Sequence, residues 1–149
     1  MSFISVDELL TRYNAGERNF SGIVLTGSEM TEVDLTGIIL NDSNLGEIYM
    51  QDVNFTEANF LRSRLGQAAL IRCIFRNADL TEASMGHANL AGADFTNARL
   101  VNAFLCSADI IGTNLTEVNL TGADLDGAYI KGAIFNNTIM PDGSIRNSS

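Results

Sequence analysis

The sequence predicts a solenoid, a fold in which the chain bends once every five residues and stacks the resulting turns. The first observation is a hydrophobic series: every fifth residue from Phe20 to Met140 is Leu, Phe, Met or Ile, over 25 consecutive pentads. The second is that none of these residues is Val or Thr, although ordinary strands favour β-branched side chains. The third is a small residue, mostly Ala, two positions before the central residue from Ala58 onward.

A period of five excludes an ordinary helix or strand. On an α-helix, a five-residue step moves about 140° around the axis, so these side chains would form no stripe. On a strand, an odd step sends successive side chains to opposite faces. A chain that turns once per pentad points every central side chain at one axis, and self-similarity at a fixed period is the signature of a solenoid.

Four segments of the chain carry a family resemblance. They are Ala78–Glu82 (ADLTE), Ala88–Gly92 (ANLAG), Ala93–Asn97 (ADFTN) and Ala123–Gly127 (ADLDG). They resemble the pentapeptide-repeat family, whose pattern is A-(D/N)-(L/F)-X-X, and the resemblance covers about residues 18–145. It implies an all-β fold, a right-handed quadrilateral parallel β-helix with four pentads per coil. The segments 10–20 and 140–144 are similar to those of cyanobacterial members.

This geometry predicts a single domain over residues 1–149. With four pentads per coil, the 25 pentads make about six coils. We expect a helical cap at 1–16, a β-helix at 17–145 and a loose C-terminal tail at 146–149. The cap is predicted by a capping box from Ser5 to Glu8, by apolar residues at helical spacing and by a stop at Gly16.

Residues twenty positions apart should stack in columns, and the columns predict three further features. One inward column should form a ladder in which four phenylalanines share a face and stack as rings: Leu35, Phe55, Phe75, Phe95, Leu115 and Phe135. Glycine columns should mark corner turns, and these are Gly46, Gly66 and Gly86 in one column and Gly92, Gly112 and Gly132 in another. Arginines should pair with carboxylates one coil away, which favours a locally neutralised face over a basic patch: Arg62 with Asp42 and Glu82, Arg72 with Asp52, and Arg99 with Asp79.

No set of residues predicts catalysis, and we expect neither enzyme activity nor a bound metal or cofactor. The one histidine, His87, has no second His or Cys beside it, which favours a surface role over metal binding. A rod filled with Leu and Phe to its axis should offer no cleft. Cys73 should point inward and Cys106 outward, so the two cannot bridge. Unpaired cysteines and the lack of a targeting or membrane segment favour the cytoplasm.

The surface remains as the site of function. We expect a scaffold that binds an unidentified protein, and neither nucleic acid nor membrane, since the net charge is −9. Aligned outward apolar residues form the candidate surface, with ordinary β-surface packing as the alternative: Leu61, Ile71, Val101, Phe104 and Ile111. The resemblance also implies a second function, because the family includes DNA mimics that occupy the DNA-binding saddle of DNA gyrase. A last coil without a predicted helical cover suggests an end-to-end homodimer.

Overall fold

The chain forms a stack of parallel coils with a repeat of twenty residues. A computed structural model describes residues 1–148. Residues one coil apart pair in parallel, as Asn44 does with Arg64 and Asn59 with Asp79. Twenty residues make four pentads, so the predicted parallel β-helix is confirmed, while its right hand and quadrilateral outline stay predictions. Most pairings are single bridges, and the longer elements are β1 (Ser2–Phe3), α1 (Val6–Asn14), β2 (Ile23–Val24), β3 (Glu29–Thr31), β4 (Tyr49–Gln51), β5 (Ala69–Ile71), β6 (Thr138–Ile139) and β7 (Ile145–Arg146).

Backbone hydrogen bonds in two directions hold each coil to its neighbours. In the following, i denotes the central residue of a pentad. The N–H of residue i donates to the next coil, as Leu65 N does to the Ser84 carbonyl at 2.7 Å. The N–H of residue i−1 donates to the previous coil, as Arg64 N does to the Ser43 carbonyl at 2.8 Å. This alternation turns the central side chain toward the axis, and all central residues from 20 to 120 are buried.

The aromatic ladder is confirmed inside the rod. The rings of Phe55 and Phe75 lie 5.2 Å apart between centroids, and those of Phe75 and Phe95 lie 4.7 Å apart, with planes within 17° of parallel. Phe135 does not extend this stack, because Leu115 stands between it and Phe95. A narrow apolar cavity of about 10 Å³ lies in this part of the core, lined by residues such as Leu105 and Leu115. This cavity is too small to hold more than about one water molecule, and its lining side chains are all apolar.

The corners of the coil lie at position i+2, where the backbone enters the left-handed region. Every i+2 residue from Gly22 to Asn137 has φ between 50° and 73°. The N–H of the residue that follows donates to the carbonyl of residue i in most pentads, as in a type II turn. The glycine column through Gly92 is therefore at the corners, as predicted. The column through Gly86 lies in the same kind of turn, at i+1, where φ is not positive, so both glycine columns mark corner turns as predicted. A Cβ built on Gly86 would lie 3.4 Å from Cys106 Sγ, and one built on Gly66 would lie 3.9 Å from the nearest atom, so close contact does not demand glycine in this column.

The N-terminal end of the rod is sealed. Helix α1 is confirmed, and its N-cap Ser5 accepts a hydrogen bond from Glu8 N at 3.0 Å. Leu9 is fully buried against the first coil, and the Tyr13 hydroxyl donates to the Thr36 carbonyl at 2.7 Å. Strand β1, which the sequence did not predict, adds in parallel to β2. Within residues 1–148, no helix is both long enough and apolar enough to cross a bilayer.

The C-terminal end is only half covered. Strand β7 turns back antiparallel to β6. The Ser144 carbonyl accepts from Met140 N at 2.7 Å, and the Ser148 carbonyl accepts from Phe135 N at 2.9 Å. The expected loose tail at 146–149 is thus attached to the last coil as far as Ser148 because its carbonyls meet N–H groups that no further coil would pair. Ser149 lies outside the described residues.

Candidate protein-binding surface

Outward side chains are positioned by a turn within each pentad. An Asn or Asp at i−1 accepts a hydrogen bond from the N–H of residue i+1, as Asn59 Oδ1 does from Leu61 N and Asp109 Oδ1 from Ile111 N, both at 3.0 Å. The short polar side chain lies against the backbone, while the i+1 side chain stands out from the rod. This hydrogen bond was not predicted, although the preference for Asp or Asn at i−1 is visible in the sequence and indicates it.

The five candidate residues fall into two groups on different segments of the coil. Leu61 and Val101 share one column, with Phe104 just past the next corner, and we call these three the Phe104 patch. Ile71 and Ile111 share a column on another segment, and we call these two the Ile111 strip. Leu61 and Val101 lie two coils apart with Thr81 between them, and Ile71 and Ile111 lie two coils apart with Ala91 between them. Each group is thus an interrupted column, and the two groups do not form one surface.

Phe104 and Ile111 are the most exposed of the five. Phe104 is 51% exposed and Ile111 is 42% exposed, while the other three are half-buried. The coil neighbours of Phe104 are Ser84 and Asp124, whose short side chains leave the ring uncovered. An aromatic ring presented on a rigid sheet is the kind of side chain that anchors protein interfaces.

Sequence reasoning did not single out a third apolar region at the C-terminal end. Tyr129 is 62% exposed, Ile130 is 40% exposed and Ile134 is 44% exposed. Ile130 belongs to the inward series, and it is uncovered because no further pentad stacks on it within residues 1–148. In the sequence, this region is indicated only by the end of the period-five series at Met140.

Ion pairs between coils neutralise part of the acidic surface. Arg62 Nε lies 2.8 Å from Asp42 Oδ1, and Arg72 Nε lies 3.0 Å from Asp52 Oδ1, as predicted. The predicted pair of Arg62 with Glu82 is wrong, because no salt bridge joins them within residues 1–148. Each guanidinium donates hydrogen bonds to its partner carboxylate and thereby lowers the pKa of Asp42 or Asp52. All four groups are well exposed, so these pairs add little to stability. Arg76 Nε also lies 2.6 Å from Asp94 Oδ2, so three of the four arginines from 62 to 76 are paired, while Arg64 forms no salt bridge within residues 1–148.

Arg99 departs from this scheme and borders a polar groove. Its predicted pair with Asp79 is wrong: within residues 1–148 Arg99 forms no salt bridge, and Asp79 Oδ1 accepts from the N–H of Thr81 at 3.0 Å. The expectation of a rod without a cleft is also wrong, because an open groove of about 490 Å³ runs between two columns of outward side chains. Its polar lining comprises Asn77, Asp79, Asn97, Arg99, Glu117 and Asn119, with no His, Cys or Ser. Such a groove can hydrogen-bond a polar group, and its lining includes two carboxylates but no hydroxyl, thiol or imidazole side chain.

The remaining reactive residues lie apart from one another. His87 occupies an exposed corner with φ of 58°, and no group of three metal-binding side chains occurs among residues 1–148. Cys73 is buried, and its Sγ lies 3.7 Å from the Met50 carbonyl. Burial raises the pKa of the Cys73 thiol to about 12, so it stays protonated at neutral pH. Cys106 is a second free thiol, on the outer surface.

Comparison with known proteins agrees with this architecture. The family model described as pentapeptide repeats, in eight copies, matches residues 48–86, 73–110 and 107–140. No protein of curated function shows significant sequence similarity to the chain. The fold is similar to that of Rfr23, a pentapeptide repeat protein of the cyanobacterium Cyanothece 51142, with 24% identity, a TM-score of 0.56 and coverage of 91% of this chain and 99% of Rfr23.

Two further solved structures share the fold. A pentapeptide repeat protein from the thylakoid lumen of Arabidopsis thaliana is 27% identical, with a TM-score of 0.54 and coverage of 70% of each chain. QnrB1, a plasmid-mediated fluoroquinolone resistance protein, is 19% identical, with a TM-score of 0.50 and coverage of 93% of this chain and 70% of QnrB1. The repeat of five residues, the twenty-residue coil and the family match lead to one conclusion: the chain belongs to the pentapeptide-repeat family.

Proposed function

We propose that this chain is a non-enzymatic scaffold that binds another protein through its outward side chains. The observation that carries the proposal is the half-exposed ring of Phe104, set on a rigid sheet between short or polar neighbours. Val101 and Leu61 extend the Phe104 patch along the rod. Aromatic residues are enriched at protein interfaces because they bury a large area with little loss of side-chain freedom.

Affinity capture from the native lysate tests this proposal. The immobilised wild-type chain is compared with Phe104→Asp and Ile111→Asp combined, and with Thr116→Asp as the matched control. Thr116 is an outward i+1 residue on a segment that carries none of the five candidates. We expect a partner that binds the wild type and the control and is lost from the double variant. Equal capture by all three chains would refute the proposal, provided that circular dichroism shows the double variant to be folded.

The acidic surface favours a second candidate function, that of a DNA mimic acting on DNA gyrase. The net charge is −9, whereas about 30 Å of B-DNA, close to the length of the rod, carries about 18 negative charges. The figure of −9 already includes the arginines that pair with carboxylates, such as Arg62 and Arg72. The similarity to QnrB1 supports only the fold. A supercoiling assay distinguishes the two functions: a DNA mimic inhibits gyrase or protects it from a quinolone, whereas a scaffold for another partner leaves it unchanged.

Two further parts of the proposal concern location and assembly. A cytoplasmic location is supported by the two unpaired thiols, Cys73 and Cys106, and fluorescence microscopy of the tagged chain tests it. An end-to-end homodimer is supported by the apolar region at the C-terminal end, where Tyr129 and Ile130 are exposed. Light scattering tests the dimer, and a monomer at high micromolar concentration would refute it.

A further inference from the structure

The last coil, residues 123–142, is covered by the following residues on one half only. Residues 144–148 pair with the pentads centred on Phe135 and Met140. Within residues 1–148, no partner is present for the N–H groups of the other half that elsewhere donate to the next coil, which are those of Leu125, Gly127, Ile130 and Gly132. The end of the rod therefore has a step one strand layer high, about 4.8 Å.

An inward side chain is left exposed on the uncovered half. Phe135, beneath the returning residues, is 3% exposed, and the Arg146 guanidinium lies 3.8 Å from the centroid of its ring. Ile130, on the uncovered half, is 40% exposed although it belongs to the inward series. At the N-terminal end, by contrast, all four central residues of the first coil are buried. An unpaired sheet edge joined to exposed apolar side chains is a site for association.

The shape of this edge restricts what can occupy it. The edge bends at Gly127 and again at Gly132, where φ is 69° and 71°. A straight strand from another protein can pair with one pentad and must then leave the edge. An occupant that follows both pentads needs the same corner spacing, which the end of a second pentapeptide coil provides. The other end of this chain is sealed by α1 and β1, so the matching end is the C-terminal end of a second copy.

Resting on the end-to-end homodimer proposed above, we propose that the two copies meet in a half-lap joint. In this joint, the covered half of each last coil lies on the uncovered half of the other, about a two-fold axis across the rod. Each step then fills the other, and the free N–H groups gain partners from residues 144–148 of the second copy. If instead the uncovered halves faced each other, the returning residues of both copies would meet first and hold these edges apart. The joint also places Arg146 on the half that faces Asp124 and Asp126 of the other copy.

Disulfide cross-linking tests the arrangement in a Cys106→Ser background. One chain carries Asp124→Cys, on the uncovered half, and a second carries Ser144→Cys, in the returning segment. We expect a disulfide-linked dimer on mild oxidation of the mixture and little from either chain alone. Cross-linking of the Asp124→Cys chain with itself, as strong as in the mixture, would overturn the half-lap joint. So would a dimer that gives no cross-link in the mixture.

Light scattering of the full-length chain separates this proposal from the others. We expect a dimer, and Tyr129→Asp should raise its dissociation constant at least about tenfold, because it puts a charge at the apolar step. The matched control is Ile111→Asp, an exposed site on the same segment of the previous coil, which should leave the dimer unchanged. A monomer at high micromolar concentration overturns both the joint and the dimer. A dimer that is insensitive to Tyr129→Asp overturns the joint alone, and capture through Phe104 is unaffected by either result.

Discussion

The buried hydroxyl of Ser63 should destabilise the protein, and its removal provides a test of how the coil is held together. Ser63 is 0% exposed, and its Oγ has no hydrogen-bond partner among residues 1–148. An unpaired buried hydroxyl costs about 1–3 kcal/mol. One coil later the same position is Ala83, which is also fully buried, so alanine fits this column without strain. We therefore expect Ser63→Ala to raise the free energy of unfolding by about 1–2 kcal/mol.

The matched control is Ser43→Ala, one coil earlier in the same column. Ser43 is equally buried, but its Oγ accepts from Ile23 N at 3.2 Å and lies 3.2 Å from the Phe20 carbonyl, to which it donates. Removing this hydroxyl leaves the Ile23 N–H without its partner, so we expect a loss of about 1–3 kcal/mol. The two substitutions delete the same atom from the same column and should have opposite signs.

Urea unfolding followed by far-ultraviolet circular dichroism measures both effects. The midpoint should rise for Ser63→Ala and fall for Ser43→Ala, at an unchanged dependence on urea concentration. In thermal unfolding, each kcal/mol corresponds to about 2–4 °C in a chain of this size. The reasoning is refuted if Ser63→Ala lowers the midpoint, or if the two variants shift it equally.

Two further predictions concern the core and the response to acid. Leu115 stands between Phe95 and Phe135 in the aromatic column and lines the apolar cavity. Leu115→Phe should therefore stabilise the rod by about 0.5–1.5 kcal/mol. The control is Leu35→Phe, in the same column beside Phe55 but away from that cavity, which should destabilise the rod by about 1–3 kcal/mol. A lower melting temperature for Leu115→Phe would contradict this prediction. Burial pushes the pKa of Asp94 up, but hydrogen bonds from Thr96 and Arg76 together bring it below its ordinary value. The stability that Asp94 contributes is thus present above about pH 4 and is lost as the pH falls through the lowered pKa. Asp94→Asn should therefore reduce the loss of unfolding free energy between about pH 5 and 2. An unchanged dependence of unfolding free energy on pH in that range would argue against it.

The inward series was predictable because a period of five has one solution that buries every central residue. Positions that share an environment were harder to separate. Both i+1 and i+2 face outward, and 16 of the i+2 corners are held by residues other than glycine, so glycine alone did not identify the corner. The sequence therefore did not show that φ is positive in the column through Gly92 and not in the column through Gly86. Strand β1 has two residues, too few to carry a periodic signal.

At the candidate surface, the sequence predicted columns but not contacts. Placing Arg99 beside Asp79 on neighbouring coils was correct for the backbone. The predicted ion pair does not form, and Asp79 Oδ1 instead accepts hydrogen bonds from Thr81. Asp94 accepts from Thr96 in the same way and still pairs with Arg76 through its second oxygen, so a shared column does not by itself decide which carboxylates pair. Exposure at the last coil depends on what stacks on it, which the repeat pattern does not encode. The exposure of Ile130 followed only from the path of residues 144–148.

The left-handed corners have a consequence for how the rod assembles. Each non-glycine residue held there costs about 1–2 kcal/mol relative to its relaxed backbone. An isolated coil, with four such bends and no neighbour to bond to, has little to offset that penalty. A coil laid on a finished one acquires a full set of interlayer hydrogen bonds at once. Growth of the rod is thus templated: once a first pair of coils has formed, each further coil is ordered by the one beside it.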